Sequence, residues 1–224
     1  MLKKVFLSIV SMLILFVLVL FVNYKIWDKK SSRISQGLPI IQKETKKQAL
    51  MVIDIQEGIT GKASTDDFFT KNSDKLINAV NLVIDSAAIH QVPVIYIRNE
   101  ISDPLINILN NSLAKGSPGA APDARLSIVS DYILSKNTGD AFSNPLLDSI
   151  LIRNDINRLV FTGLDLGQCV KNTILAAKNR NYDICLISDA VISKPDSIKE
   201  TLLEEFRLIG CEIINSKAFF ELLP

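Results

Sequence analysis

The stretch LVFTGLDLGQCVKNTILAAKNRNYDICLISDA, residues 159–190, reads as a complete strand–turn–helix–strand unit. Leu159 to Thr162 is apolar and partly β-branched, Gly163 ends the run, and Val170, Ile174 and Ala177 then recur at helical spacing. A second apolar run around Ile184 closes the unit. Cys169 falls at the turn where the helix begins. A sulfur there lies near the positive end of a helix, where the dipole and free backbone N–H groups stabilise a thiolate. The bland alternative is a small buried hydrophobe, the usual state of a free cysteine.

The same alternation extends in both directions. ALMVIDIQ (49–56) is a continuous apolar run ending in charge, as expected of a strand buried on both faces. Ser73 is placed to cap a helix whose apolar face carries Leu76, Ile77, Val80, Val83, Ile84 and Ala87. Pro93 opens a second strand, VPVIYI (92–97), and IVSDYILS (128–135) gives a third that ends at Lys136. A helix over about 144–152 and further strands at Leu159, Ile184 and Glu212 follow. Strands alternating with helices imply parallel β-α-β units and a three-layer α/β/α sandwich. Between Arg98 and Leu126 lies a long irregular stretch, a candidate wall or lid for a site.

At 224 residues the chain holds one α/β domain plus an extra segment. Its formal net charge of +1, with acidic and basic residues interleaved, offers no electrostatic footprint for nucleic acid. The single histidine, His90, lies at a helix end, which removes histidine-rich metal sites. Three cysteines make no disulfide framework; Cys185 and Cys211 fall in strand patterns and read as structural thiols.

The N-terminus differs in kind. Lys4 to Lys25 is nearly all apolar and Met12 to Val22 is uninterrupted, about the 20 residues that cross a bilayer core as a helix. Tyr24 and Trp27 stand at interfacial height, which favours an uncleaved single-pass anchor over a cleaved signal peptide. Residues 1–27 are thus read as anchor, 28–47 as a polar tether with Gly37 and Pro39, and 48–224 as the folded domain. Lys25, Lys29, Lys30 and Arg33 outnumber Lys3 and Lys4, which favours a cytoplasmic domain, but large domains translocate regardless and both orientations stay open.

In open parallel sheets, ligands bind beyond the carboxyl ends of the strands. Asp54 closes the first strand, Lys136 follows the third and Cys169 opens the helix after the fourth. A carboxylate to take a thiol proton, an amine to hold the charges and a nucleophilic sulfur form a coherent catalytic set. Each has a plainer reading alone, Asp54 as a turn cap and Lys136 as a solvated lysine.

Together, ALMVIDIQ, SKNTGDAF (135–142) and the 159–190 stretch resemble the isochorismatase-like cysteine hydrolase superfamily, which includes nicotinamidases, N-carbamoylsarcosine amidases and ureidoacrylate-type amidases. The resemblance spans roughly Gln48 to the C-terminus. It implies a mainly parallel six-stranded sheet ordered 3-2-1-4-5-6, with Asp54, Lys136 and Cys169 as catalytic residues. It also implies a cis peptide between Leu164 and Asp165, and an oxyanion hole from the N–H groups of Asp165 and Cys169. Nicotinamidases place a metal among an aspartate and histidines near the first two strands. Here Ile55-Gln56-Glu57 and Arg98-Asn99-Glu100 stand there, so neither metal nor other cofactor is expected. Asp165-Leu166-Gly167 replaces the Ala-Thr-Asp of many relatives.

The expected activity is hydrolysis of an amide or ureido C–N bond of a small molecule through an acyl-enzyme on Cys169. Vinyl-ether cleavage of the isochorismatase type and a membrane-tethered, non-catalytic binding module are the alternatives. Expected partners are the small-molecule substrate, the membrane through the N-terminal helix and, because such relatives commonly self-associate, further copies of the chain.

Overall fold

A computed structural model describes residues 2–222. Helix α1 (Leu2–Ser31) precedes six strands: β1 (Gln48–Ile53), β2 (Val94–Asn99), β3 (Ile133–Lys136), β4 (Arg158–Gly163), β5 (Asp183–Val191) and β6 (Glu212–Ile214). They form one sheet ordered β3-β2-β1-β4-β5-β6, parallel throughout. Between and after the strands run α2 (Asp67–Ile89), α3 (Pro104–Leu109), α4 (Pro145–Arg153), α5 (Lys171–Asn179), α6 (Lys199–Leu208) and α7 (Ser216–Leu222).

The period-two geometry of β1 divides the core in two. Ala49, Met51 and Ile53 point into one apolar layer with Leu147 and Leu151 of α4, Ile174 and Ala177 of α5, and Phe206 of α6. Leu50 and Val52 point into the other, with Leu76, Val80 and Ile84 of α2 and Phe219 of α7. This three-layer arrangement is the expected sandwich. Because β1 and β4 pair residue for residue from Gln48↔Arg158 to Ile53↔Gly163, their C-terminal ends lie side by side at the centre of the sheet.

Local readings of the sequence differ from the structure in three places. Helix α2 begins six residues before Ser73, at Asp67, with Asp66 as its cap accepting from the N–H groups of Phe68 and Phe69; Ser73 lies inside the helix and donates its hydroxyl to the Thr70 carbonyl. The polar run TDDFFTKNS masked that start. Strand β3 covers only Ile133–Lys136, because the residues before Asp131 are held by side chains rather than a ladder: Tyr96 donates to the Ser127 carbonyl and accepts from Val129 N–H, and Ser130 donates to the Val94 carbonyl. The stretch after β2 contains α3, capped by Asp103, and is fastened to β1 by an antiparallel bridge between Gln56 and Pro122.

Helix α1 has 30 residues, none buried, with a mean hydropathy of 3.2 over its most apolar window, so it is long and apolar enough to cross a membrane. The segment after it follows the domain surface closely. Ser35 N–H donates to Asp140, Ile40 N–H to the Arg180 carbonyl, and Asn157 binds both Thr45 and Lys47. Arg180 is buried and donates to the carbonyls of Ser35 and Gln36, to both Asp148 oxygens, and stacks 4.3 Å from the Phe142 ring centroid. A Cβ at Gly37 would lie 2.4 Å from the Arg180 Nε, so any larger residue there would have to displace the guanidinium. Of the 28–47 stretch read as a tether, residues 28–31 continue α1 and the remainder is an irregular but well-bonded strap.

Candidate active site

The C-terminal edge of the sheet brings Asp54, Lys136 and Cys169 together. Asp54 directly follows β1, and its backbone takes a left-handed conformation, φ 55°, that an aspartate tolerates better than most residues. Its N–H donates to the Ile97 carbonyl, so the turn is anchored to β2. Lys136, the last residue of β3, is 3 % exposed and reaches across β2. Its Nζ donates to Asp54 Oδ2 at 2.9 Å and lies 3.2 Å from Cys169 Sγ. One ammonium thus bridges the carboxylate and the sulfur.

Cys169 belongs to a single π-helical turn, Leu166–Val170, that precedes α5. Such turns are rare and concentrate at functional sites. Asp165 caps the turn, accepting from Gly167 N–H at 2.8 Å, and also accepts from Lys194 N–H. Burial raises the Asp165 carboxyl above its ordinary value against these bonds. The Leu164–Asp165 peptide bond is cis. Gly163, at φ 108°, makes the approach to β1 that no other residue could make, because a Cβ there would lie 2.1 Å from the Ile53 carbonyl oxygen. Neither Asp165 N–H nor Cys169 N–H donates to a loop or turn carbonyl among the described residues.

Electrostatics set the resting state of the three groups. Burial lowers the affinity of Lys136 for its proton, but the Asp54 carboxylate and the Cys169 sulfur outweigh this and raise it above the ordinary lysine value. Burial, and then the Asp54 carboxylate, push the Cys169 thiol up to about 12 against the pull of Lys136. Burial and the neighbouring carboxylate thus favour the neutral thiol over the helix-end thiolate expected from the sequence, against the pull of Lys136. Asp54 Oδ1 is buried and, among the described residues, accepts no hydrogen bond.

Residues that the motif reading did not single out hold this edge in place. Gln56, fully buried, accepts from Asn99 N–H at 2.7 Å and donates to the carbonyls of Asn99 and Ala120. It ties the ends of β1 and β2 to the loop after α3. Thr173 donates to the Cys169 carbonyl at 2.7 Å and accepts from Ala141 N–H, linking the π turn to the loop after β3. A buried polar residue just beyond an apolar strand was the available signal for Gln56; Thr173 had none. Asp123, 2 % exposed, is held by Arg125 and Thr60 and closes the same wall, its carboxyl kept low by those bonds despite burial.

At the place of a metal site in nicotinamidases, Ile55 is in the core, Gln56 is committed to backbone groups and Glu100 pairs with Arg98 at 3.2 Å. Among the described residues no three His, Cys, Asp or Glu side chains converge as a ligand set. A polar cavity of about 240 Å³, lined by Glu100, Ser102, Lys115, Lys136, Asn137 and Asn144 among others, adjoins the site through Lys136.

Comparison with known proteins matches this architecture. The Isochorismatase domain family model covers residues 48–218. The chain is 26 % identical over 147 residues to the uncharacterized isochorismatase family protein YrdC of Bacillus subtilis, covering 65 % of this chain and 73 % of that one. N-carbamoylsarcosine amidase of Thermoplasma acidophilum superposes with a TM-score of 0.65 at 30 % identity, over 76 % of this chain and 96 % of that one. A cysteine hydrolase of Pseudomonas syringae shares the fold, with a TM-score of 0.69 at 20 % identity over 84 % and 97 %. With a family model spanning most of its length, this chain belongs to the isochorismatase family of hydrolases.

Proposed function

We propose that the protein is a cysteine amidohydrolase that cleaves a C–N bond of a small amide or ureido compound without a metal ion. The observation that carries this reading is the Lys136 ammonium bridging Asp54 Oδ2 and Cys169 Sγ, with Asp54 Oδ1 accepting no hydrogen bond among the described residues. Burial favours the neutral thiol at rest, so the proton leaves as the sulfur attacks. Asp54 accepts it while Sγ bonds to the carbonyl carbon. The N–H groups of Asp165 and Cys169 receive the developing oxyanion. Collapse of the tetrahedral adduct breaks the C–N bond, and Asp54 returns its proton to the leaving nitrogen. Water, deprotonated by Asp54, then attacks the thioester; collapse breaks the C–S bond, and Asp54 returns the proton to the departing sulfur, which leaves the acid and the free thiol. Lys136 stays protonated throughout and holds the negative charges.

The N-carbamoylsarcosine amidase likeness, at 30 % identity, directs the first assays to N-carbamoyl amino acids and small primary amides. Turnover of one of these should fall by several orders of magnitude in Cys169→Ala and in Asp54→Asn, as when a covalent nucleophile is removed. Mass spectrometry of the quenched wild-type enzyme should find the acyl group on the peptide containing Cys169. Full activity in Cys169→Ala would sink the mechanism. The exposed apolar helix α1, with Tyr24 and Trp27 at its polar end, is the anchor that holds this hydrolase to a membrane.

A further inference from the structure

The covered end of α1 lies at the catalytic edge of the sheet. Ser31 accepts from Gly139 N–H at 2.9 Å, and Asn23 Nδ2 donates to Asp103 Oδ1 at 3.2 Å. Gly139 follows β3 and Asp103 follows β2, so both loops leave the strand ends beside Asp54, Lys136 and Cys169. The partly covered residues of α1 in this region are Leu20, Asn23, Trp27 and Ser31, spaced along one helical face. Everything from Ser11 to Val19 is exposed, clear of the domain.

Asn23 directly follows the uninterrupted apolar run Met12–Val22, so it marks where a spanning helix leaves the hydrocarbon. Asp103, the cap of α3, is bonded to that residue, which places α3 level with the end of the span. Helix α3 buries Ile106 toward the domain but leaves Ile108 59 % and Leu109 54 % exposed. Ser102 and Lys115, on either side of this helix, line the cavity that reaches Lys136.

We propose that α3 rests on the headgroup layer of the bilayer that holds α1, with Ile108 and Leu109 entering it, so that the cavity beside Lys136 opens at the membrane surface. This rests on the anchoring of α1 proposed above. The occupant is that same bilayer, because α3 is bonded to the residue ending the apolar span, and Lys25, Lys29, Lys30 and Lys115 supply positive charge beside it.

Trp27 is the only tryptophan, which permits a direct test. The full chain is reconstituted into nanodiscs of phosphatidylcholine with a minority of phosphatidylglycerol, with or without brominated acyl chains. Tryptophan emission is then compared in the wild type and in three Trp27→Phe variants carrying Ile108→Trp, Leu109→Trp or Leu208→Trp. Leu208 ends α6, at the opposite edge of the sheet, and is 87 % exposed. Bromolipid should quench Trp27 and the reporters at 108 and 109 strongly, and leave the one at 208 unchanged. Quenching of Trp27 with reporters at 108 and 109 as bright as at 208 overturns the docking while leaving the anchor in place. No quenching of Trp27 overturns the anchoring itself, and the docking with it. Circular dichroism of each variant, matched to wild type, secures the reading.

Discussion

At the residue scale, Lys136 decides how the site works. It lies in the interior between Asp54 and Cys169, and its charge is the only attraction opposing burial of the Cys169 thiolate in that trio. Lys136→Met should slow alkylation of Cys169 by iodoacetamide at fixed pH, because the thiol then titrates still higher. Asp54→Asn should speed it, because a neighbouring anion is gone. Cys185 serves as an internal control, buried in β5 with its thiol pushed up to about 11 by burial. Unchanged Cys169 rates in Lys136→Met, measured on folded protein, would disprove the electrostatic role. The variant is also expected to lose stability, on the order of 3–5 kcal/mol, since it strands a buried carboxylate.

At the scale of elements, the strap over residues 32–47 shows how irregular backbone becomes specific structure. It has no ladder, so besides a few backbone bonds such as Ile40 N–H to the Arg180 carbonyl its polar groups are met by side chains: Arg180, Asp140, Asn157, Asn179 and Asn181. Ion pairs of Lys43 with Asp155 and Lys46 with Asp183 add little beyond register, being exposed. Arg180 is the exception, with its side chain 3 % exposed and paired to Asp148. Arg180→Ala should cost about 3 kcal/mol in unfolding free energy, the low end for a buried pair, because Asp148 is a third exposed. It should also open the strap to limited proteolysis before the domain unfolds. A cleavage rate matching wild type would show that the strap is held by other contacts. Sequence reading took this segment for a tether because its signals, Gly37, Pro39 and a run of lysines, are those of a linker, while its partners lie more than 100 residues away. The start of α2 and the shortened β3 escaped for a related reason: a cap and an edge are decided by hydrogen bonds that composition does not display.

For the whole molecule, burial in both layers sets the alkaline limit of stability. Burial pushes the thiols of Cys169, Cys185 and Cys211 to about 12, 11 and 12, and the Tyr182 phenol to about 12. The unfolded chain would ionise these thiols near 9.0 and the phenol near 10.0. The folded state therefore retains protons that the unfolded state has lost. The stability they contribute is complete below pH 9 and falls as pH rises toward 12, by at most about 1.4 kcal/mol per pH unit for each thiol. Urea midpoints of the full chain in detergent, followed upward from neutral pH, should decline from pH 9. A flat profile to pH 11 would contradict the burial of these groups.

The order of strands and helices, the buried character of β1 and β4, and the placement of Asp54, Lys136 and Cys169 at strand ends were all legible in the chain. Hydrophobic period and strand-end position are local properties that one sequence displays. Tertiary structure alone decided that Lys136 spans β2 to meet Asp54 and Cys169, that burial favours the thiol form of Cys169, that Gln56 and Thr173 lock the C-terminal edge of the sheet, and that the strap and α3 bring α1 against that edge. Those outcomes depend on distances between residues far apart in sequence and on how much water is excluded where they meet. Neither quantity exists until the two apolar layers close around the sheet.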